Sequence, residues 1–402
     1  MFIKTFFKPL LFAAALSFLC TENHAQAVRV VKGFGESTKN PTLHINHVSG
    51  DGEIAALVKS SLTLCGWFDV VPAAASADFT VHGSYAGGVL ALNLRNADGG
   101  LVSAVRRNIN PGRVDIDVHR SVDDILRDVF KIPGICATRI AFSVKTSLRA
   151  KNIYICDFDG RNVTQITRHN SLCVEPEWFP DGASILYTMY GHSTTNIVQT
   201  VLAPLKSRLL VSMRGLNTGG AVSPNGKYMA LVMSRDNQVE LYVKEVESGK
   251  MRRLTHDKAV EASPCWSPDG GSICYVSDLS GRPGLYMISA NGGAATRLST
   301  VGVEATSPAW AKNGSIAYSS RSGRSYALAV LSKDPRVKSG ILVEGGGNWE
   351  SPSWAPDSRH IICSRNTNGH STLYVVDSWT GKVRQLLSSR HDMTYPSWSN
   401  PY

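Results

Sequence analysis

The chain has 402 residues, with 43% hydrophobic and 18% charged positions and a formal net charge of +10. That length exceeds one ordinary compact domain and predicts two. The positive charge permits anionic partners, but it is scattered without a run of five like charges, which argues against a dedicated nucleic-acid surface.

Lys4 and Lys8 precede an apolar run over residues 10–19, and Ala25-Gln26-Ala27 supplies an A-x-A cleavage site. The pattern predicts a secretory signal over residues 1–27, cleaved after Ala27. The run is too short to cross a bilayer of roughly 30 Å, and no other stretch spans one. Cys20 follows Phe18-Leu19 rather than small residues, so it reads as discarded with the signal and not as a lipidation site.

Residues 28–137 read as an α/β domain. Val28, Arg29, Val30, Val31 and Lys32 form a short strand or arm freed by cleavage. Ile54, Leu57, Val58, Ser61 and Leu62 mark one face of a helix ending near Gly66. Residues 79–83, 89–94 and 101–105 read as strands. Ser121-Val122-Asp123-Asp124 reads as a capping box opening a second helix, with Val122, Ile125, Leu126 and Val129 inward and Pro133-Gly134 ending it. His44 and His47 form an H-x-x-H placed in a Pro/Asn loop, a solvated pair rather than a metal site.

Residues 138–402 repeat. Trp178, Trp266, Trp310, Trp354 and Trp398 stand 44 residues apart or at multiples of that spacing, and Val222 fills the one gap in the lattice. The fullest copy is Ser263-Pro264-Cys265-Trp266-Ser267-Pro268-Asp269-Gly270. Two more tracks share its phase, one through Tyr154, Val198, Tyr242, Tyr286, Val330 and Tyr374, the other through Ile166, Leu210, Leu254, Leu298, Leu342 and Leu386. Pro-Asp-Gly makes a turn after the Trp strand, with the Asp side chain bonding nearby backbone. Each period then holds about four short strands, the content of a propeller blade. The six anchors read as core, each pinning one blade to its neighbour.

From residue 139 to 402 is six periods of 44. The strand expected after Trp398 would stand near position 407, and residues 139–143 occupy the equivalent place at the other end. The expectation is a mainly β protein with an α/β N-terminal domain, its six-bladed β-propeller closed by the strand at 139–143. Closure removes the edges that an open array would expose.

No P-loop, H-E-x-x-H or G-x-S-x-G is present, and Asp181, Asp269 and Asp357 are turn residues, so no catalytic residues, metal or cofactor are expected. Cys65, Cys136, Cys156, Cys173, Cys265, Cys274 and Cys363 lack a C-x-x-C pair and mostly sit in strand-like runs, as small buried hydrophobes do.

With this order of parts, the Pro-x-Trp-Ser-Pro-Asp-Gly repeats, Arg139-Ile140 at the junction and Pro396-Ser397-Trp398-Ser399 at the end, the chain resembles the TolB family of the Tol-Pal system. Val222, Lys312-Asn313 and Asn400-Pro401 depart from the repeat, and the N-terminal half is more diverged. The resemblance implies a non-enzymatic periplasmic adaptor of Gram-negative bacteria. It would dock the lipoprotein Pal, and other outer-membrane lipoproteins, through the propeller, and TolA through the N-terminal arm. It further implies roles in outer-membrane integrity, constriction at cell division and bacteriocin import, with a monomer expected. Loops entering the Trp strands supply the expected Pal surface: Val174, Glu175, Thr218, Gly219, Glu261, Ala262, Glu304, Thr306, Trp349, Glu350, Asp392 and Thr394. Trp349, off the lattice and flanked by Gly347 and Asn348, reads either as its anchor or as a core residue that packs the loop. The competing classes are a propeller-bearing peptidase, which needs a hydrolase domain, and a propeller that binds glycan or acts as a lyase at its channel.

Overall fold

The computed structural model describes the backbone of Arg29–Val30 and residues 39–402 except position 236. The signal, Val28, Val31 and Lys32 lie outside the described residues. No described helix is long and apolar enough to cross a membrane.

The N-terminal unit is one sheet with two helices. Its strands are β2 (Thr42–Ser49), β3 (Asp69–Val71), β4 (Phe79–Ala86), β5 (Val89–Asn96) and β6 (Leu101–Asn108), following the arm strand β1 (Arg29–Val30). The sheet order is β3-β2-β4-β5-β6, with β2 parallel to both neighbours and the rest antiparallel. Helix α1 (Gly52–Leu64) starts where the Asp51 carboxylate accepts from the Glu53 and Ile54 amides, an N-cap that satisfies two otherwise orphan donors. It buries the predicted face of Ile54, Leu57, Val58, Ser61 and Leu62.

Helix α2 (Val114–Phe130) corrects the sequence reading. It begins seven residues before the supposed capping box, so Ser121 is interior and its hydroxyl donates back to the Asp117 carbonyl at 2.8 Å. The alternation Val114, Ile116, Val118 resembles a strand and hides the helical start. Asp123 instead binds the segment that leads into the propeller, accepting the Cys136 and Ala137 amides, each at 2.8 Å. Burial pushes its carboxyl up to about 6 against those bonds. Gly134 permits this approach, since a Cβ there would stand 2.0 Å from Asp123 Cγ. His44 and His47 also differ from expectation: both lie on strand β2, where a register shift sits between Ile45 and Val48.

Six antiparallel sheets form the propeller, which confirms the six blades. Blade 1 runs from inner strand Cys173–Trp178, blade 2 from Asn217–Val222, blade 3 from Glu261–Trp266, blade 4 from Ala305–Trp310 and blade 5 from Asn348–Trp354. In blade 6 the inner strand Met393–Trp398 pairs with β7 (Arg139–Lys145), followed by β8 (Lys151–Asp157) and β9 (Thr164–Gln165). The closing register is Met393 with Val144, Thr394 with Ser143, Ser397 with Ala141 and Trp398 with Ile140.

The Trp track stitches neighbouring blades. Indole Nε1 of Trp178 donates to the Ser397 carbonyl at 3.0 Å, that of Trp266 to Ala221 at 2.9 Å and that of Trp354 to Ala309 at 3.0 Å. Trp398 reaches Thr138 Oγ1 at 2.7 Å, while Trp310 turns to Gly314 of its own blade. Each such bond contributes about 1 kcal/mol beyond ring burial. Val222 keeps the burial and gives up the bond. Of the seven described cysteines all are free, and all but the half-buried Cys265 are buried.

Candidate docking face and central channel

Each inner strand carries one residue with positive φ at the same phase: Glu175 (55°), Gly219 (64°), Ser263 (47°), Ser307 (50°), Ser351 (52°) and Tyr395 (53°). Each coincides with a register shift against the second strand of its blade. Five of the six precede proline, which disfavours helical conformations in the residue before it. Left-handed backbone outside glycine costs of order 1–2 kcal/mol, so a ring of bulges stores strain around the axis. Blade 2 avoids the cost with Gly219-Gly220, and a Cβ at Gly220 would stand 2.5 Å from Leu186 Cδ2.

The bulges line a central channel of about 750 Å³, walled by residues such as Glu175, Glu177, Pro264, Pro308, Pro352 and Tyr395. Glu175 ties blade 1 to blade 2, its Oε2 accepting from Thr218 Oγ1 at 2.9 Å and the Gly219 amide at 3.2 Å. Glu177 accepts from Ser397 Oγ at 3.0 Å, and burial pushes its carboxyl up to about 7. Lys151 donates to Thr394 Oγ1 at 3.1 Å and sits over the Tyr395 ring. Burial lowers its pKa and raises that of Glu350 beside it.

Antiparallel strand order gives each blade two ends. The end at which inner strands exit carries the turns at 157–162, 357–360 and 377–382, and there the N-terminal unit is bolted on. Trp67 Nε1 donates to Asp357 at 3.0 Å, Arg359 Nη2 to Asn40 at 2.7 Å, Lys382 Nζ to Asp69 at 2.7 Å and Arg120 Nη2 to the Tyr402 carbonyl at 2.6 Å. Loops that feed the inner strands emerge at the opposite end, clear of these contacts.

That free end holds the residues predicted to dock, though in unequal states. Asp392 accepts from His370 Nδ1 at 2.9 Å, and Glu304 accepts from Arg321 at 2.8 Å and the Tyr326 hydroxyl at 2.9 Å. Ala262, Thr306, Glu350 and Thr394 are half-buried, while Val174 and Thr218 are buried in the wall. Two readings need correction. Trp349 is 0% exposed and donates its Nε1–H to the Gly345 carbonyl, so it is the loop-packing core residue and has no surface to offer. Glu261 is likewise 0% exposed, with Ser277 Oγ 3.2 Å from its Oε1.

Sequence reasoning missed the exposed apolar rim at this end. Leu148 is 93% exposed, and Tyr190, Leu279, Val301 and Val303 are also exposed. Between them stand exposed Arg149, Arg168, Arg214, Arg235, Lys258, Arg282, Arg324 and Arg390. A lone leucine in a Ser-Leu-Arg turn has no periodic signature. Only the fold brings it to a shared face.

Burial, with Asp257 and Glu240 nearby, pushes the Glu261 carboxyl up to about 8. The folded state therefore holds this proton more tightly than the unfolded chain does. Its contribution is fully present below the ordinary glutamate value of about 4.3 and is lost as pH rises through about 8. Glu261→Gln, which mimics the protonated form, is expected to raise the thermal midpoint by about 2–4 °C at pH 8.5 and by under about 1 °C at pH 4.5. Equal shifts at both pH values in differential scanning calorimetry would refute the assignment.

A six-bladed propeller closed by an N-terminal strand and joined to a small α/β unit defines the structural class. Known proteins carry the identification further. A description of the TolB beta propeller domain matches residues 127–402. The Tol-Pal system protein TolB of Ruthia magnifica subsp. Calyptogena magnifica is 37% identical over 288 residues, covering 70% of this chain and 68% of that one. The TolB of Anaeromyxobacter dehalogenans is 32% identical over 148 residues, 37% of this chain, and the match spans 34% of that relative's length. The crystal structure of TolB from Acinetobacter baumannii shares the fold, with a TM-score of 0.81 over 93% of this chain and 99% of that one at 21% identity. The chain belongs to the TolB family.

Proposed function

We propose that the chain is a periplasmic adaptor of the Tol-Pal system, exported by removal of residues 1–27, which docks Pal on the free end of its propeller. The observation that carries this reading is the rim around the channel mouth, where Leu148 and its apolar companions stand among arginines and lysines on the face opposite the N-terminal unit. An exposed apolar set rimmed by charge marks an interaction site, and the basic rim suits an acidic partner surface. Outer-membrane integrity, support of constriction and bacteriocin import follow from that role.

The N-terminal arm is the proposed TolA element. Its backbone adds to the outer strand Gly340–Glu344 of blade 4, with Arg29 opposite Glu344 and Val30 opposite Val343. Strand addition is the mode by which such an arm would join a partner sheet, and two paired residues are a small contact to exchange. A glycan or lyase role at the channel is the competing reading. Lys312 is the one Lys, Arg or His among the described lining residues, which leaves a lyase little base chemistry there.

Leu148→Asp is expected to weaken Pal binding at least tenfold, about 1.4 kcal/mol, in calorimetric titration while leaving the thermal midpoint within about 1 °C. Wild-type affinity in that variant would sink the docking face. Binding of soluble peptidoglycan fragments in the same assay, with none of Pal, would favour the channel reading.

A further inference from the structure

The contact between helix α2 and blade 6 contains a group of side chains that the docking function does not use. His119 of α2 has a side chain 1% exposed, as does Asp159, which follows β8. The imidazole lies edge-on to Phe158, ring centroids 5.0 Å apart. Its Nδ1 is 3.0 Å from Ser61 Oγ, and the Ser61 hydroxyl donates to the Leu57 carbonyl at 2.7 Å. A hydroxyl carries one hydrogen, so Ser61 accepts from Nδ1–H, which leaves the lone pair of a neutral ring on Nε2.

That lone pair faces a carboxylate. His119 Nε2 and Asp159 Oδ2 are 3.9 Å apart, and both are buried without a hydrogen-bond partner among the described residues. Asp157 brings a third ligand atom, and the three atoms lie within 4.8 Å of one another. Both carboxylates are oriented from behind: Asp159 Oδ1 accepts the Arg161 amide at 3.1 Å, and Asp157 Oδ2 accepts from Asn162 Nδ2 at 2.7 Å. The nearby cations make their hydrogen bonds elsewhere, Arg161 to Asp115 at 3.3 Å and Arg384 to the Phe158 carbonyl at 3.4 Å, while Arg384 acts on Asp159 and Arg139 on Asp157 through space without a direct bond. Opposed lone pairs in a dry site repel unless something positive joins them.

We propose that His119, Asp157 and Asp159 form a binding site for a divalent transition metal ion, zinc fitting best, that clamps the N-terminal unit to blade 6. One imidazole with two carboxylates favours zinc over calcium or magnesium, which prefer all-oxygen shells. A metal-binding histidine commonly donates its other N–H to a fixed acceptor, as Nδ1 does here to Ser61. Ligand atoms on one tetrahedral zinc stand about 3.4 Å apart, given metal–ligand bonds near 2.1 Å. Small carboxylate rotations close the difference. The site joins residues from two units, so metal affinity and the docking of those units are one equilibrium.

The test uses the full mature chain, stripped with a chelator and titrated with zinc by calorimetry, and with cobalt by visible absorption. One equivalent is expected to bind with Kd below about 1 μM, raising the thermal midpoint by several degrees through mass action. His119→Asn keeps an amide donor for Ser61 but deletes Nε2, and Asp159→Asn removes the charge. Each is expected to weaken zinc at least 50-fold and to abolish the tetrahedral cobalt band. Should His119→Asn fail to fold, Asp159→Asn and the wild-type cobalt spectrum decide the matter. Absence of saturable binding below about 100 μM in the wild type overturns the proposal, and so does wild-type affinity in the folded variants.

Discussion

Arg359→Ala is expected to lower the unfolding free energy by about 3–5 kcal/mol at pH 7, the usual cost of stripping one partner from a buried ion pair. The guanidinium is buried, with Nε 3.0 Å from Asp377 Oδ1 and Nη2 2.6 Å from Oδ2. It lies between two indoles, 4.7 Å from the Trp67 ring centroid and 4.3 Å from that of Trp379. The variant would leave Asp377 charged and dry, open a gap between the rings and break the bond that holds Asn40 of the N-terminal unit to the propeller. Arg359→Lys keeps the charge but not the planar fork, so a smaller loss of about 1–3 kcal/mol is expected.

The pH dependence gives this a second readout. Burial would raise the Asp377 carboxyl, but Arg359 and His360 hold it down to about 2, below the ordinary value near 3.9. A depressed carboxylate contributes stability above its unfolded value, and that contribution fades as pH falls from about 4 through about 2. The wild type and Arg359→Ala should therefore differ most at neutral pH and converge in acid. Urea unfolding followed by near-ultraviolet dichroism would measure both. A neutral-pH difference under about 1 kcal/mol would show that water replaces the guanidinium without penalty.

What the chain discloses before folding depends on whether a feature is periodic. The Trp lattice and its two companion tracks each place a buried or half-buried ring or aliphatic group once per blade, so six blades and their closure at residues 139–143 could be counted. The bulges at Glu175, Ser263, Ser307, Ser351 and Tyr395 share that period but not the expected chemistry, since glutamate, serine or tyrosine before proline reads as extended. Helix α2 was misplaced because a surface that packs against both a sheet and a propeller blade buries more than one stripe, and Val114, Ile116 and Val118 then alternate like a strand. The cluster of His119, Asp157 and Asp159 was invisible for a plainer reason: its members come from two units and share no spacing. Leu148 went unnoticed and Trp349 was offered as the docking anchor because isolation in a polar loop says nothing of which way a side chain turns.

Trp349 separates packing from docking. Its ring lies in the core between blades 4 and 5 with Leu328, Val343, Cys363 and Val376, edge-on to Tyr374 at 5.5 Å. Trp349→Ala should cost about 3–5 kcal/mol, as large aromatic deletions in cores do. Trp349→Phe keeps most of the volume and loses the 2.8 Å bond to Gly345, so about 1–2 kcal/mol is expected. Below its lowered melting temperature, the alanine variant should still capture Pal within about twofold of wild type, whereas Leu148→Asp should fold normally and fail to capture it. The reverse pattern, a stable Trp349→Ala chain that no longer binds, would return the indole to the partner surface and remove the distinction drawn between the blade wall and its rim.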